Sequence, residues 1–398
     1  MDSNPSQVRR VVLDILGPLV RGRTVFLTGS AVGSHRMARL LADAGAEPVS
    51  VDLGAVPDDT RERFSAYERL LVQPTETIRA RLDAKDPDGA ALVYAGSFTT
   101  AKDLCGRRVI GARSLKHLDA ERKDRQRELL GVSGDVVGLA DCFRHLSVPA
   151  VVQGIPDQGV AMATSHTYLV PRSADSHRVR ALAATLMRDC TRVVVSGFNA
   201  GLPCTFYGFI TATTIVDFGP VEALVYWDPH TWRIYAPGIL RPLQTAESVI
   251  ASARSEVHVI AQRLRQRLGY VGAFGTDGVL TDGGYAIHEL NPRVCAGFNL
   301  LDQLVPNEAP LSAIDLVLRE LPGISTKALT ASLATLSIAL QQDRTPNCML
   351  WEASINNLPA PADQTDQSAW AERTRKTAAQ GRPSIVDLGE LAYGIDLS

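Results

Sequence analysis

The chain has 398 residues, 45% of them hydrophobic, and its 41 Lys and Arg residues nearly balance 43 Asp and Glu residues. This length suffices for about two or three domains with large cores, and a net charge of −2 argues against a nucleic-acid partner. No apolar run approaches the ~18 residues of a membrane helix, and the polar start does not have the pattern of a signal peptide. We therefore expect a cytoplasmic protein with no membrane partner.

The six cysteines are dispersed along the chain and form no C-x-x-C pair. Zinc sites and disulfide frameworks need cysteines in closely spaced or regular patterns. We expect reduced thiols that mostly fill the core, which agrees with a cytoplasmic location.

The first part of the chain alternates helical and strand patterns. A helix in QVRRVVLDILGPLV precedes the strand RTVFLT, the helix HRMARLLADAGA and the strand EPVSVDLG. This β-α-β order predicts a parallel sheet covered by helices, and AALVYAG and RVIGA extend that sheet. We place the end of this α/β region near Ala112.

A glycine-containing turn, GSAVGS, follows the first strand. Its Gly29 and Gly33 do not complete the G-x-G-x-x-G fingerprint of dinucleotide sites, and Asp52 alone is a weak sign of a ribose-binding acid. A dinucleotide-dependent oxidoreductase is therefore a poorly supported alternative. The preferred interpretation is a tight turn between strand and helix.

The middle of the chain begins with a charged helix, SLKHLDAERKDRQRELL, followed by two short strands around a loop in SVPAVVQGIPDQGVAMATSHTYLV. A helix in SHRVRALAATLMRDC leads to the strand-rich region 191–227, and AESVIASARSEVHVIAQRLRQRLG predicts a long amphipathic helix. After residue 299, helical patterns alternate with the strand-like NCMLWEASI, and a polar loop with prolines covers 357–369.

The stretch GTDGVLTDGGYAIHELNPRVCAGFN, residues 275–299, has the pattern of a β-hairpin with DGG at its turn. Strand alternation places Glu289, Asn291 and Arg293 on one face, and antiparallel pairing can add Asp277. Carboxylate and amide oxygens suit Mg²⁺, and a guanidinium suits phosphate. We predict a metal site at Asp277, Glu289 and Asn291 beside a phosphate-binding Arg293; the alternative is an ordinary hairpin whose acids face water.

This stretch, with its closing E-x-N-P-R, resembles the metal-binding strand pair of the ATP-grasp superfamily of carboxylate–amine ligases. The resemblance covers about residues 114–304 in order, and from SGFNAGLPC to NPRVCAGFN it is greatest to amino-acid and peptide ligases of secondary metabolism. It implies a mixed fold class, α/β and α+β. A Rossmann-like pre-ATP-grasp domain would cover 1–112, an ATP-grasp domain 113–306 and a small C-terminal α/β extension 307–398.

The resemblance also implies roles for individual residues, with ATP and Mg²⁺ as cofactors. Glu289 and Arg293 would be catalytic, and the nucleotide would be bound by Lys123, Gln153, Val195, Ser196 and Phe198. Of these, Lys123 would contact the α- or β-phosphate, and the last three would line the adenine slot. For Lys123, a solvated face of a charged helix is the alternative.

Two features depart from the family pattern. Gln153 stands where the family usually has a lysine, and the implied lid loop over 154–164 is poor in glycine, with only Gly154 and Gly159. Glycine lets backbone N–H groups approach phosphates closely. His166, just after this loop, is either a phosphate contact or an ordinary strand histidine, and the second interpretation is preferred.

The resemblance implies an ATP-dependent ligase that joins a small carboxylate, an amino acid or natural-product acid, to the amine of an amino acid or peptide. An acyl phosphate would be the intermediate, and ADP and phosphate would be released. The expected partners are these small molecules, with a homodimer as the expected assembly. The alternative is a degenerate member that binds the nucleotide without ligase activity.

Overall fold

A computed structural model describes residues 6–28, 34–53, 60–132, 134–143, 146, 149–156, 166–227, 230–243, 245–281, 283–321, 327–345 and 347–350. Gly29, Gly33 and Gly159, most of the predicted lid loop and the predicted loop at 357–369 lie outside these residues. Within the described residues, no helix has the length and apolar character needed to cross a membrane.

The N-terminal part of the chain forms a five-stranded sheet with strand order β2-β1-β3-β5-β4. Its elements are α1 (Ser6–Val20), β1 (Thr24–Thr28), α2 (Ser34–Asp43), β2 (Glu47–Val51), α3 (Thr60–Val72), α4 (Glu76–Lys85), β3 (Leu92–Tyr94), β4 (Asp103–Leu104) and β5 (Arg107–Ile110). Strands β1, β2, β3 and β5 pair in parallel, which confirms the predicted α/β region. Helices α3 and α4 were not predicted.

The next part of the chain forms a four-stranded antiparallel sheet with strand order β6-β9-β7-β8. Its elements are α5 (Leu115–Asp119), α6 (Lys123–Leu130), β6 (Asp135–Gly138), α7 (Leu139–Cys142), β7 (Ala150–Pro156), β8 (Thr167–Val170), α8 (Ser176–Leu186) and β9 (Cys190–Gly197). Gly154 lies within β7, where an added Cβ would approach Cys190 Sγ to 2.8 Å and His166 Cβ to 2.9 Å. Close packing therefore accounts for this glycine.

The remaining strands form a six-stranded antiparallel sheet with strand order β14-β13-β10-β11-β12-β15. The elements are β10 (Leu202–Ile210), β11 (Ile215–Trp227), β12 (Ile234–Arg241), α9 (Glu247–Leu268), β13 (Gly272–Thr281), β14 (Gly284–Asn291), α10 (Gly297–Leu304), α11 (Leu311–Glu320), α12 (Lys327–Gln342) and β15 (Asn347–Leu350). The predicted mixed α/β fold is thus confirmed, with three sheets among the described residues.

The two faces of the six-stranded sheet belong to different hydrophobic clusters. On one face, Phe206, Phe274 and Leu290 pack with the apolar side of α9. On the other face, Phe209 and Phe298 share a cluster with α1, α2, α11 and α12. The candidate site lies at the polar part of this second face, where Lys123 of α6 contacts Glu289.

Candidate active site

The candidate site begins with two carboxylates that lie directly opposite each other on neighbouring strands. Asp277 on β13 pairs with Glu289 on β14, and Gly275 pairs with Asn291. On the other side of β13, Thr205 on β10 lies opposite Asp277. Because directly opposed residues share a face, the structure brings Asp277 and Glu289 together as predicted and adds Thr205, which was not predicted.

A β-bulge determines which face Glu289 occupies. The register shifts between Asp277 and Gly278, so that Ile287 and Glu289 oppose consecutive residues and His288 is the extra one. Ile287, before the bulge, and Leu290, after it, both face α9. Glu289 lies on the opposite face of the sheet, beside Asp277. The extra residue reverses the alternation, and without it Glu289 would be directed beneath α9.

Asp277 is held by two hydrogen bonds. Thr205 Oγ1 donates to Oδ1 over 2.7 Å, and Asn291 Nδ2 donates to Oδ2 over 2.9 Å. Burial, and then the nearby charge of Glu289, raise the pKa of Asp277 to about 6. Two opposed carboxylates in a partly dry site repel each other, so this site favours binding of a cation.

Lys123 supplies a cation next to this pair. Its Nζ lies 2.7 Å from Glu289 Oε2, and the residue is only 3% exposed. Helix α6 is fixed against β14 by the Gln126 amide, which donates to Leu290 O over 2.7 Å and accepts from Leu290 N over 2.9 Å. Lys123 therefore belongs to the site, and the alternative of a solvated helix face does not hold.

Gln153 is connected to this group through Arg127. The Arg127 guanidinium donates to Lys123 O over 2.7 Å and to Gln153 Oε1 over 3.3 Å. Burial lowers the pKa of Arg127 to about 10 despite the charges of Glu289 and Asp124. Gln153 is buried on β7, so the four-stranded sheet presents a neutral side chain to Arg127.

The predicted adenine-binding residues do not share one face of β9. Gln153 pairs with Val194, and the register places Ser196 on the same face. Val195 lies on the opposite face and packs against a hydrophobic cluster that includes Val152. The side chain of Val195 therefore faces away from Gln153 and Ser196, and its place in the adenine slot stays a prediction.

Phe198 follows β9, and its backbone N–H already donates to Pro149 O over 3.2 Å. A hydrogen bond from this N–H to a nucleotide would compete with that contact. The ring of His166 is near Asp189, with Nε2 3.7 Å from Oδ2. This geometry agrees with the interpretation of His166 as an ordinary strand histidine.

Arg293 is held in place by several groups. Its Nε lies 3.1 Å from Glu121 Oε1, and its NH2 donates to Asn291 Oδ1 over 3.1 Å. Its guanidinium carbon lies 4.9 Å from the centre of the Phe98 ring. Burial opposes the charge, but carboxylates led by Glu121 raise the pKa of Arg293, which keeps it cationic. Sequence reasoning missed Glu121 and Phe98, because no local pattern connects them with residues 275–299.

The donors at this site fit Mg²⁺. Asp277 and Glu289 offer carboxylate oxygens, and the Lys123 ammonium at 2.7 Å already occupies a cation position against Glu289. Within the part of the chain that the structure describes, no three His, Cys, Asp or Glu residues converge. Mg²⁺ tolerates such a sparse set, because it keeps waters and substrate phosphates as ligands. Asn291 Oδ1 faces Arg293, so metal binding by Asn291 stays a prediction and requires its second lone pair.

No family model and no curated protein matches the chain. Among solved structures, it is similar to the L-amino acid ligase from Bacillus licheniformis, with 15% identity over 75% of this chain and 74% of that one (TM-score 0.49). It is also similar to carboxyaminoimidazole ribonucleotide synthase from Aspergillus clavatus complexed with ATP, with 13% identity over 73% and 76% (TM-score 0.47). A third similar structure is phosphoribosylamine–glycine ligase from Thermotoga maritima, with 15% identity over 78% and 75% (TM-score 0.45).

At 13–15% identity, the similarity to these three structures concerns the fold alone. The function proposed below depends on the contacts of this chain's own residues.

Proposed function

We propose that the chain is an ADP-forming, ATP-dependent ligase that joins a small carboxylate to an amine through an acyl phosphate. The observation that carries this proposal is that three kinds of charged group converge at one face of the six-stranded sheet. These are the opposed Asp277 and Glu289, the buried Lys123 ammonium 2.7 Å from Glu289, and the cationic Arg293. Transfer of a phosphoryl group depends mainly on positioning and charge neutralisation, which such a set of residues supplies.

Each residue then has a proposed task. Asp277 and Glu289, with Asn291, would hold Mg²⁺, which when bound neutralises phosphate oxygens. Lys123 would exchange part of its contact with Glu289 for a nucleotide phosphate. Arg293 would bind the transferring phosphoryl group and the acceptor carboxylate, because a guanidinium can donate to two oxygens at once.

The nucleotide base is proposed to lie between the two antiparallel sheets. Ser196 shares a face of the four-stranded sheet with Gln153, whose amide reaches Arg127 and hence the Lys123 region. An acyl phosphate is destroyed by water, so the proposed reaction also requires that water be excluded from this site.

The finer description of the protein is also part of the proposal. The carboxylate would be an amino acid or natural-product acid, and the amine would belong to an amino acid or peptide. We propose a homodimer in the cytoplasm, with regions 1–112, 113–306 and 307–398 as its domains.

The test is ADP release measured with ATP and Mg²⁺ against pairs of acids and amines. We expect slow release with ATP alone and a sharp rise when the correct acid and amine are both present. Glu289→Gln should abolish the rise, because it removes charge at the metal site while keeping the shape. The matched control Glu128→Gln changes an exposed glutamate on α6, with a side chain 67% exposed. Full activity of well-folded Glu289→Gln would contradict the proposal.

A second candidate is a nucleotide-binding protein without ligase activity. The observation that favours it is the neutral Gln153, whose oxygen is engaged by Arg127. This candidate predicts saturable binding of Mg²⁺ and ATP with no rise in ADP release for any pair of acid and amine. A titration followed by tryptophan fluorescence, run beside the release assay, separates the two.

A further inference from the structure

We infer that Glu121 is a positioning residue that, with Phe98, sets the orientation of the Arg293 guanidinium. The inference rests on the proposed function of Arg293. Glu121 lies between α5 and α6 and is 3% exposed, so its carboxylate has little access to water. A charge that is buried in this way needs partners, and its partners are two arginines.

One oxygen of Glu121 serves both guanidiniums. Arg293 Nε lies 3.1 Å from Glu121 Oε1, and Arg113 NH1 donates to the same atom. Arg113 is itself buried, at 2% exposure, and its NH2 donates to Phe98 O over 3.1 Å. The side chain of Phe98 then lies against the Arg293 guanidinium. Arg113 therefore contacts both Glu121 and Phe98, which are two of the groups that contact Arg293.

These contacts constrain the plane of the Arg293 guanidinium at its face and at its edge. The Phe98 ring faces the guanidinium, a geometry in which the ring attracts the cation. Glu121 engages the Nε edge, while Asn291 Oδ1 accepts from NH2 over 3.1 Å. A guanidinium can donate to two oxygens only when its plane is correct. Phe98 lies between β3 and β4, so the N-terminal part of the chain contributes to this orientation.

The experiment compares Glu121→Gln with Glu128→Gln, which makes the same chemical change at an exposed position on α6. We expect Glu121→Gln to lower kcat about 10²-fold, the scale of a small misplacement of a reacting group. The KM for ATP should stay within about twofold, because the nucleotide contacts are not touched. Glu128→Gln should match the unmodified protein in both constants. A rise in KM with kcat unchanged would overturn the inference.

A double-mutant cycle distinguishes positioning from general structural support. In the Arg293→Ala background, Glu121→Gln should add no further loss, because the group that it orients is gone. Losses that multiply would overturn the inference. Because Glu121→Gln leaves Arg113 with a weakened partner, Phe98→Leu provides a second variant without a change of charge. We expect it to lower kcat about 2- to 5-fold, the scale of a cation–π contact, and an unchanged kcat would count against the role of Phe98.

Failure of this inference can be told apart from failure of the proposed function. If Arg293→Ala forms ADP at the normal rate, the proposed role of Arg293 is wrong. If Arg293→Ala is impaired while folded Glu121→Gln and Phe98→Leu keep the normal kcat, the proposed function stands and only the positioning role is wrong.

Discussion

Replacement of Lys123 by Met should destabilise the ligand-free protein and make its stability depend on Mg²⁺. Lys123 Nζ lies 2.7 Å from Glu289 Oε2, with side-chain exposures of 3% and 16%. At an effective dielectric constant of about 20, the Coulomb attraction at this distance is roughly 6 kcal/mol before the cost of desolvation. Removal of one partner from a buried pair typically costs about 3–5 kcal/mol. Because Glu289 keeps some contact with water, we expect the lower end, about 3 kcal/mol.

The assay is urea unfolding of Lys123→Met with and without MgCl₂, beside Lys116→Met, which removes an exposed lysine from the neighbouring helix α5. Mg²⁺ should stabilise Lys123→Met more than the unmodified protein, because the metal would replace the lost ammonium. Adding Glu289→Gln should restore part of the stability, since it removes the charge left without its partner. The reasoning is refuted if Lys123→Met loses no more than Lys116→Met, about 0.5 kcal/mol or less.

Three further variants test other parts of the structure. Gln153→Lys should lower the melting temperature without nucleotide, because it replaces the acceptor of Arg127 with a second buried cation, and ATP with Mg²⁺ should reverse part of the loss. Gly154→Ala should cost about 1–3 kcal/mol in urea unfolding, since its Cβ would lie 3.0 Å from Leu186 Cδ2 in a packed core. Burial raises the pKa of Glu308 from 4.5 to about 7, so its protonated form is favoured in the folded state and stability falls as pH rises between these values. Glu308→Gln should therefore gain up to about 3 kcal/mol over the unmodified protein at pH 8, and a gain that is equally large at pH 4 would contradict this assignment.

The carboxylate pair could be predicted from sequence, because strand periodicity and a turn signal act over a few residues. Asp277 and Glu289 flank one hairpin, and the antiparallel pairing placed them opposite each other. Glu289 lies on the predicted face, but regular strand alternation does not explain this, because the bulge at His288 changes the alternation. No signal for this bulge was recognised in the sequence. Arg293 lies beyond the end of β14, where a turn from Asn291 rather than strand alternation directs it.

The rest of the site depends on contacts between residues far apart in the chain. Phe98 and Glu121 contact Arg293 although the three residues are far apart in the chain. The sequence around Phe98 and Glu121 contains no motif that indicates these contacts. The solvated alternative for Lys123 came from a run of charges, which does not show the Gln126 amide that fixes its helix against β14. Val195 and Ser196 are consecutive residues of β9, so their side chains lie on opposite faces of the sheet, which the sequence motif by itself does not show.

The central claim is that ATP transfers its terminal phosphoryl group to a carboxylate. The most direct test uses the acid that stimulates ADP release, labelled with ¹⁸O in its carboxyl group, together with its amine and unlabelled ATP. Mass spectrometry of the products should find one ¹⁸O atom in inorganic phosphate for each amide formed, with ADP as the nucleotide product. Label in AMP, with pyrophosphate released, or phosphate without label would contradict the account.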